Sequence, residues 1–102
     1  MTNRVHLCGT EIKIHLLSAM EAADCLREAE TLRLELAPPE EEDSPLAAAL
    51  GECGALAAAC LRREGERVFP SGRAALSALR MDELRRVREA YEAMEEQEAA
   101  QT

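Results

Sequence analysis

The spacing of apolar residues changes along the chain, and each spacing predicts a different element. Over Arg4–His15 apolar and polar residues alternate, so Val5, Leu7, Ile12 and Ile14 fall on one face of a β-hairpin. Gly9-Thr10 matches a type II′ turn, with glycine at the first central position. That turn predicts Cys8 opposite Glu11, Leu7 opposite Ile12, His6 opposite Lys13 and Val5 opposite Ile14. A lone hairpin is marginal in water, so its apolar face must cover a helix or meet another strand. Ser18-Ala19-Met20-Glu21 is a capping box, and the helix it opens should reach about Leu34. Ala19, Ala22, Leu26 and Ala29 trace its apolar stripe, flanked by Ala23, Cys25 and Leu32 or Arg33. Asp24, Arg27, Glu28, Glu30 and Glu35 form the outward face.

Leu36–Asp43 breaks the pattern. Pro38-Pro39 cannot continue a helix, and the four acids of 40–43 repel one another, so 36–43 reads as an acidic linker. Ser44–Arg63 follows and is the least polar stretch. Ser44-Pro45 suits an N-cap and first helical position, and Leu61-Arg62-Arg63-Glu64-Gly65 reads as a charged, glycine-punctuated end. Only Glu52 is charged between those ends, so this helix lacks a polar face and must be buried by neighbours or by a partner. Gly51 and Gly54 mark either close helix contact or a break into two short helices. Glu66–Arg73 is turn-rich, with a short extended piece at Arg67–Phe69 that can meet the hairpin edge. Ala74–Leu79 forms a short helix, and Asp82 is a plausible N-cap for a last helix to about Glu96. In that helix Leu84, Val87, Tyr91 and Met94 recur at three- and four-residue spacing. Residues 97–102 should fray. The expected fold is mainly α: one small helical domain over 1–102 with an N-terminal β-hairpin.

Composition adds a small-residue core. Alanine and leucine supply most of the apolar content, and Phe69 and Tyr91 are the sole aromatics. The net charge of −8 argues against general nucleic-acid binding, which needs a basic footprint. Residues 1–51 hold ten acids and four bases, whereas 52–102 hold ten acids and eight bases, so any basic patch belongs to the second half. Four cysteines without a CxxC pair, no signal-peptide pattern and no long uninterrupted apolar run lead to the expectation of a reduced, soluble, cytoplasmic protein that does not enter a membrane.

Candidate chemistry is sparse. His6, Cys8 and His15 share a hairpin face, but Cys8 sits at the turn and His15 at the far end, too distant for one metal. No short motif ties a histidine to a nucleophile, and both phosphate-loop patterns are absent. No catalytic residue, metal ligand or cofactor is therefore assigned. Recognition of an apolar protein segment is the stronger reading. Phe69, Leu84, Val87, Tyr91 and Met94 are its candidate contacts, and the same stripe packs internally if no partner takes it.

The order of elements resembles that of small bacteriophage tail assembly chaperones. The corresponding stretches are EIKIHLLSAMEAADCL, SPLAAALGECGALAAACL and ALSALRMDELRRVREAYEAMEE, the last being the nearest match. The resemblance covers most of residues 4–96 through generic motifs. It implies a non-enzymatic chaperone that keeps an apolar, helical tail tape-measure protein from aggregating during tail assembly, in the host cytoplasm. The small-residue central helix adds an expectation of homo-oligomers. The alternative is a helical adaptor or oligomeric structural protein of a bacterial or phage complex, including a virion component.

Overall fold

A computed structural model describes residues 3–41 and 43–100. Among them the chain forms a mainly helical fold with an N-terminal antiparallel hairpin, as its sequence predicts. The order is β1 (Arg4–Leu7), β2 (Thr10–Ile14), α1 (Ala19–Leu36), α2 (Pro45–Cys60), β3 (Leu61–Arg63), β4 (Glu66–Arg67), α3 (Gly72–Ala78) and α4 (Met81–Ala100). The strands make one antiparallel sheet in the order β1-β2-β3-β4.

The hairpin turns at Cys8-Gly9 rather than Gly9-Thr10. Both residues have positive φ, 51° and 75°, as a type I′ turn requires. Val5 pairs with Ile12, His6 with Glu11 and Leu7 with Thr10, a register two residues from the expected one. A shift of two keeps every side chain on its face, so Val5, Leu7, Ile12 and Ile14 are buried together. A second hairpin repeats the device. Glu64-Gly65, with φ of 54° and 83°, is a turn between β3 and β4 and not the end of the central helix. α2 stops at Cys60 because Leu61 adopts extended geometry and pairs with Ile14. The strand after the turn is Glu66–Arg67, and Val68 donates to the Leu61 carbonyl at 3.2 Å. Phe69 lies beyond the strand.

α1 opens on the predicted capping box. The Ser18 hydroxyl accepts from the Glu21 amide, and a Glu21 oxygen accepts from the Ser18 amide at 2.8 Å. Glu21 also meets His15 Nε2 at 3.0 Å and the Arg62 guanidinium at 3.6 Å, tying α1 to β2 and β3. The Ser18 amide, with His15 behind it, lowers the Glu21 pKa from 4.5 to about 2. A carboxylate depressed on folding contributes stability that is complete above its unfolded pKa and is lost as pH falls through the folded value. Thermal melts across that range should therefore show destabilisation beginning near pH 4.5 and continuing towards pH 2. Glu21→Gln should remove this part of the acid response, and an unchanged profile would contradict the assignment.

The inward stripe of α1 is rotated from the expected one. Ala29 and Leu32 are buried with Ala55 of α2, and Cys25 and Leu76 pack on them, whereas Leu26 is 71% exposed. The rotation follows from the crossing with α2. A Cβ on Gly51 would lie 2.7 Å from the Ala29 carbonyl oxygen, so the two backbones touch there. Gly51 thus marks close contact within one unbroken helix, and so does Gly54, which faces Leu76 of α3. Glu28, expected outward, accepts from the Gly72 amide at 2.8 Å and supplements the Ser71 cap of α3.

Ser44 caps α2 as expected, accepting from the Ala47 amide. Ala47, Ala55, Ala57, Ala58, Ala59 and Cys60 are buried, as a helix without a polar face requires. The main core joins the hairpin face to Ala57, Cys60, Leu61, Ala75, Leu79, Leu84, Val87 and Tyr91. α4 begins at Met81, so Asp82 lies in its first turn and is not the cap. Glu83 does the capping: one oxygen accepts from the Arg80 amide at 2.9 Å and the other from the Cys8 amide at 3.2 Å. The Arg80 amide, then Cys8, holds this buried carboxyl below its ordinary pKa and clamps the first hairpin turn to α4. α4 runs past the predicted end near Glu96 to Ala100, so residues 97–100 are helical; 101–102, the remainder of the expected frayed tail, and position 42 of the linker lie outside the described residues.

Candidate functional site

Four of the five sequence-derived contact residues lie on α4, and the fold uses most of them internally. Leu84, Val87 and Tyr91 are buried in the main core. The Tyr91 hydroxyl accepts a hydrogen bond from the Leu17 amide at 3.1 Å, which satisfies its polar end. Phe69 and Met94 pack against the same core and are partly exposed. The stripe is thus first a packing surface, and three of its members are withdrawn from solvent.

One apolar surface that stays open lies beside it; Met20, Leu26, Leu34 and Leu36 of α1 are exposed elsewhere. Ala49, Leu50 and Cys53 of α2 face Met81, Leu84, Arg85 and Arg88 of α4 across a cleft of about 220 Å³. Both walls repeat at the three- and four-residue spacing of one helix face. Leu46 stands one turn before Leu50 and is 60% exposed, and Met81 is 55% exposed. Met81 thus presents a large apolar side chain to water at the cleft, and Leu46 does so one turn along α2 from Leu50, an arrangement that can receive the apolar stripe of another helix.

The rim is cationic. Arg88 reaches Glu52 at 3.5 Å and Glu92 at 3.8 Å. Arg85 has no carboxylate partner among the described residues. A segment with an apolar stripe and a flanking acid would match this lining, with Arg85 free to pair.

Sequence reasoning missed Leu46, Leu50 and Met81. In a helix apolar on nearly every side, periodicity does not say which side stays open. The one usable signal was Leu46–Leu50 at i,i+4, both larger than the alanines around them.

Among the described residues no group of three or more His, Cys, Asp or Glu could hold a metal, and no helix is long and apolar enough to cross a membrane. No protein-family model, curated protein or solved structure matches the chain.

Proposed function

We propose that this is a non-enzymatic protein-binding domain whose α2–α4 cleft receives an apolar helical segment of another protein. The observation that carries the reading is the open apolar cleft itself, lined by exposed Met81, with Leu46 exposed one turn before Leu50 on α2. Following the resemblance of ALSALRMDELRRVREAYEAMEE, the specific form of the proposal is a phage tail assembly chaperone acting on a tail tape-measure protein in the host cytoplasm. Long apolar helices are the clients that a cleft with helical spacing on both walls would accept.

Affinity capture from a phage-producing host, with partners identified by mass spectrometry, tests this. The expected result is a long helix-rich tail protein recovered by the wild type and lost with Leu46→Glu/Met81→Glu. Both positions are exposed, so the variant should melt with the wild type. Recovery of the same partner by the variant would remove the cleft from the proposal. Recovery of an unrelated cellular complex, lost with the variant, would transfer the cleft to the adaptor reading.

A further inference from the structure

The strand register aligns four cations. Arg4 is opposite Lys13, Lys13 opposite Arg62, and Arg62 opposite Arg67, so one row of positive residues crosses all four strands. Residues directly opposite in a sheet point to the same face, here the face away from Val5, Leu7, Ile12 and Ile14. At about 5 Å per strand the row is about 15 Å long. Like charges directly opposite one another destabilise a sheet, so folding does not call for the row. Cations on edge strands do discourage unwanted pairing, which accounts for Arg4 and Arg67. It does not account for Lys13 and Arg62, which lie on the two inner strands.

The row is only partly neutralised within the chain. Arg62 turns to the Ala59 carbonyl and Glu21, and Arg4 meets Glu11 at 3.8 Å. Lys13 and Arg67 are exposed, and neither meets a carboxylate among the described residues. The chain also carries the complementary charge. Glu40, Glu41 and Asp43 in the turn between α1 and α2 are exposed, and none meets a cation among the described residues. The two features cannot meet within one molecule. α1 leaves the sheet at Ser18 and runs 18 residues before the turn, about 27 Å at 1.5 Å per residue, and α2 returns over a similar length to β3.

We propose that the basic row of the sheet, through exposed Lys13 and Arg67, docks the acidic α1–α2 turn of a second copy of this chain. With a net charge of −8, two copies repel in most orientations, and this end-to-end approach sets opposite charges together. The contact joins different surfaces of the two copies, so it is heterologous: it extends head to tail and closes into a ring or continues as a filament. No aromatic side chain lies on this sheet face, so it lacks the stacking platform of single-stranded nucleic-acid binders. The docking uses neither the α2–α4 cleft nor its rim and stands independently of the client proposed for it.

Sedimentation velocity of the full chain over a concentration series tests the contact. The mass should rise with concentration at about 0.01 M salt and return to that of the monomer near about 1 M, where screening acts within about 3 Å. Lys13→Glu/Arg67→Glu and Glu40→Lys/Glu41→Lys should each weaken association tenfold or more. An equimolar mixture of the two variants should associate again, since each supplies the surface the other has lost. A wild type monomeric throughout at low salt, association indifferent to salt, or association surviving both reversals would overturn the proposal. So would a monomeric wild type that binds a DNA duplex and loses it with Lys13→Glu/Arg67→Glu, which would make the row a nucleic-acid face.

Discussion

Leu61→Ala should destabilise the fold by about 2–5 kcal/mol, with the upper half of that range expected. Leu61 is fully buried at the joint where α2 ends and β3 begins. Its amide donates to the Ala57 carbonyl, its own carbonyl accepts from Val68, and its strand pairs it with Ile14. The backbone is therefore held on three sides, and the cavity left by the side chain cannot close by local movement. Domains of this size have about 5–15 kcal/mol in total, and each kcal/mol shifts the melting temperature by about 4–8 °C. A fall of more than about 10 °C in a thermal melt followed by circular dichroism is the expected reading. Leu26→Ala is the control. Leu26 belongs to the apolar stripe that periodicity assigns to α1, yet it is exposed, and its removal should change stability by no more than about 0.5 kcal/mol. Equal losses at the two leucines would mean that α1 is rotated differently against α2.

That contrast shows where sequence reasoning reaches its limit. The inner face of the first hairpin was legible because alternation has a period of two, and an error of two residues in register leaves each side chain on its correct side. The caps at Ser18 and Ser44 were legible because capping is local. The second hairpin was not. Glu64-Gly65 after an apolar helix has the form of a helix terminus, and only the pairing of Leu61 with Ile14, 47 positions apart, makes it a turn. The contact stripe on α4 was visible, but its destination depends on the hairpin and on Leu17, which take its buried side and the Tyr91 hydroxyl. The basic row needs three strand pairings at once, one of them between β2 and β3, so no window of sequence contains it. The open cleft likewise exists only once α2 and α4 are set side by side.

Gly51→Val should cost about 3 kcal/mol or more, and Gly54→Val distinctly less, although both glycines occupy the same buried helix. In isolation either change would favour the helix, because glycine is about 1 kcal/mol worse than alanine in a helix interior and valine is intermediate. What decides the sign is the atom each new side chain meets. At Gly51 a Cβ would stand 2.7 Å from the Ala29 carbonyl oxygen and 3.1 Å from the Arg33 amide nitrogen. Both are backbone atoms of α1 already bonded within that helix, so the whole helix must move outward and leave Ala29 and Leu32 poorly packed against Ala55. At Gly54 the nearest atoms belong to the Leu76 side chain, which is only partly buried and can change rotamer. Gly51→Ala should separate the two contributions. Its single carbon regains the helix preference but meets the full backbone clash, so a net loss of about 1–2 kcal/mol is expected, against a change near zero for Gly54→Ala. Urea unfolding of the four variants measures the order directly. A Gly51→Ala protein as stable as the wild type would mean that α1 and α2 do not touch at this crossing, and the burial of a helix with no polar face would then need another cover.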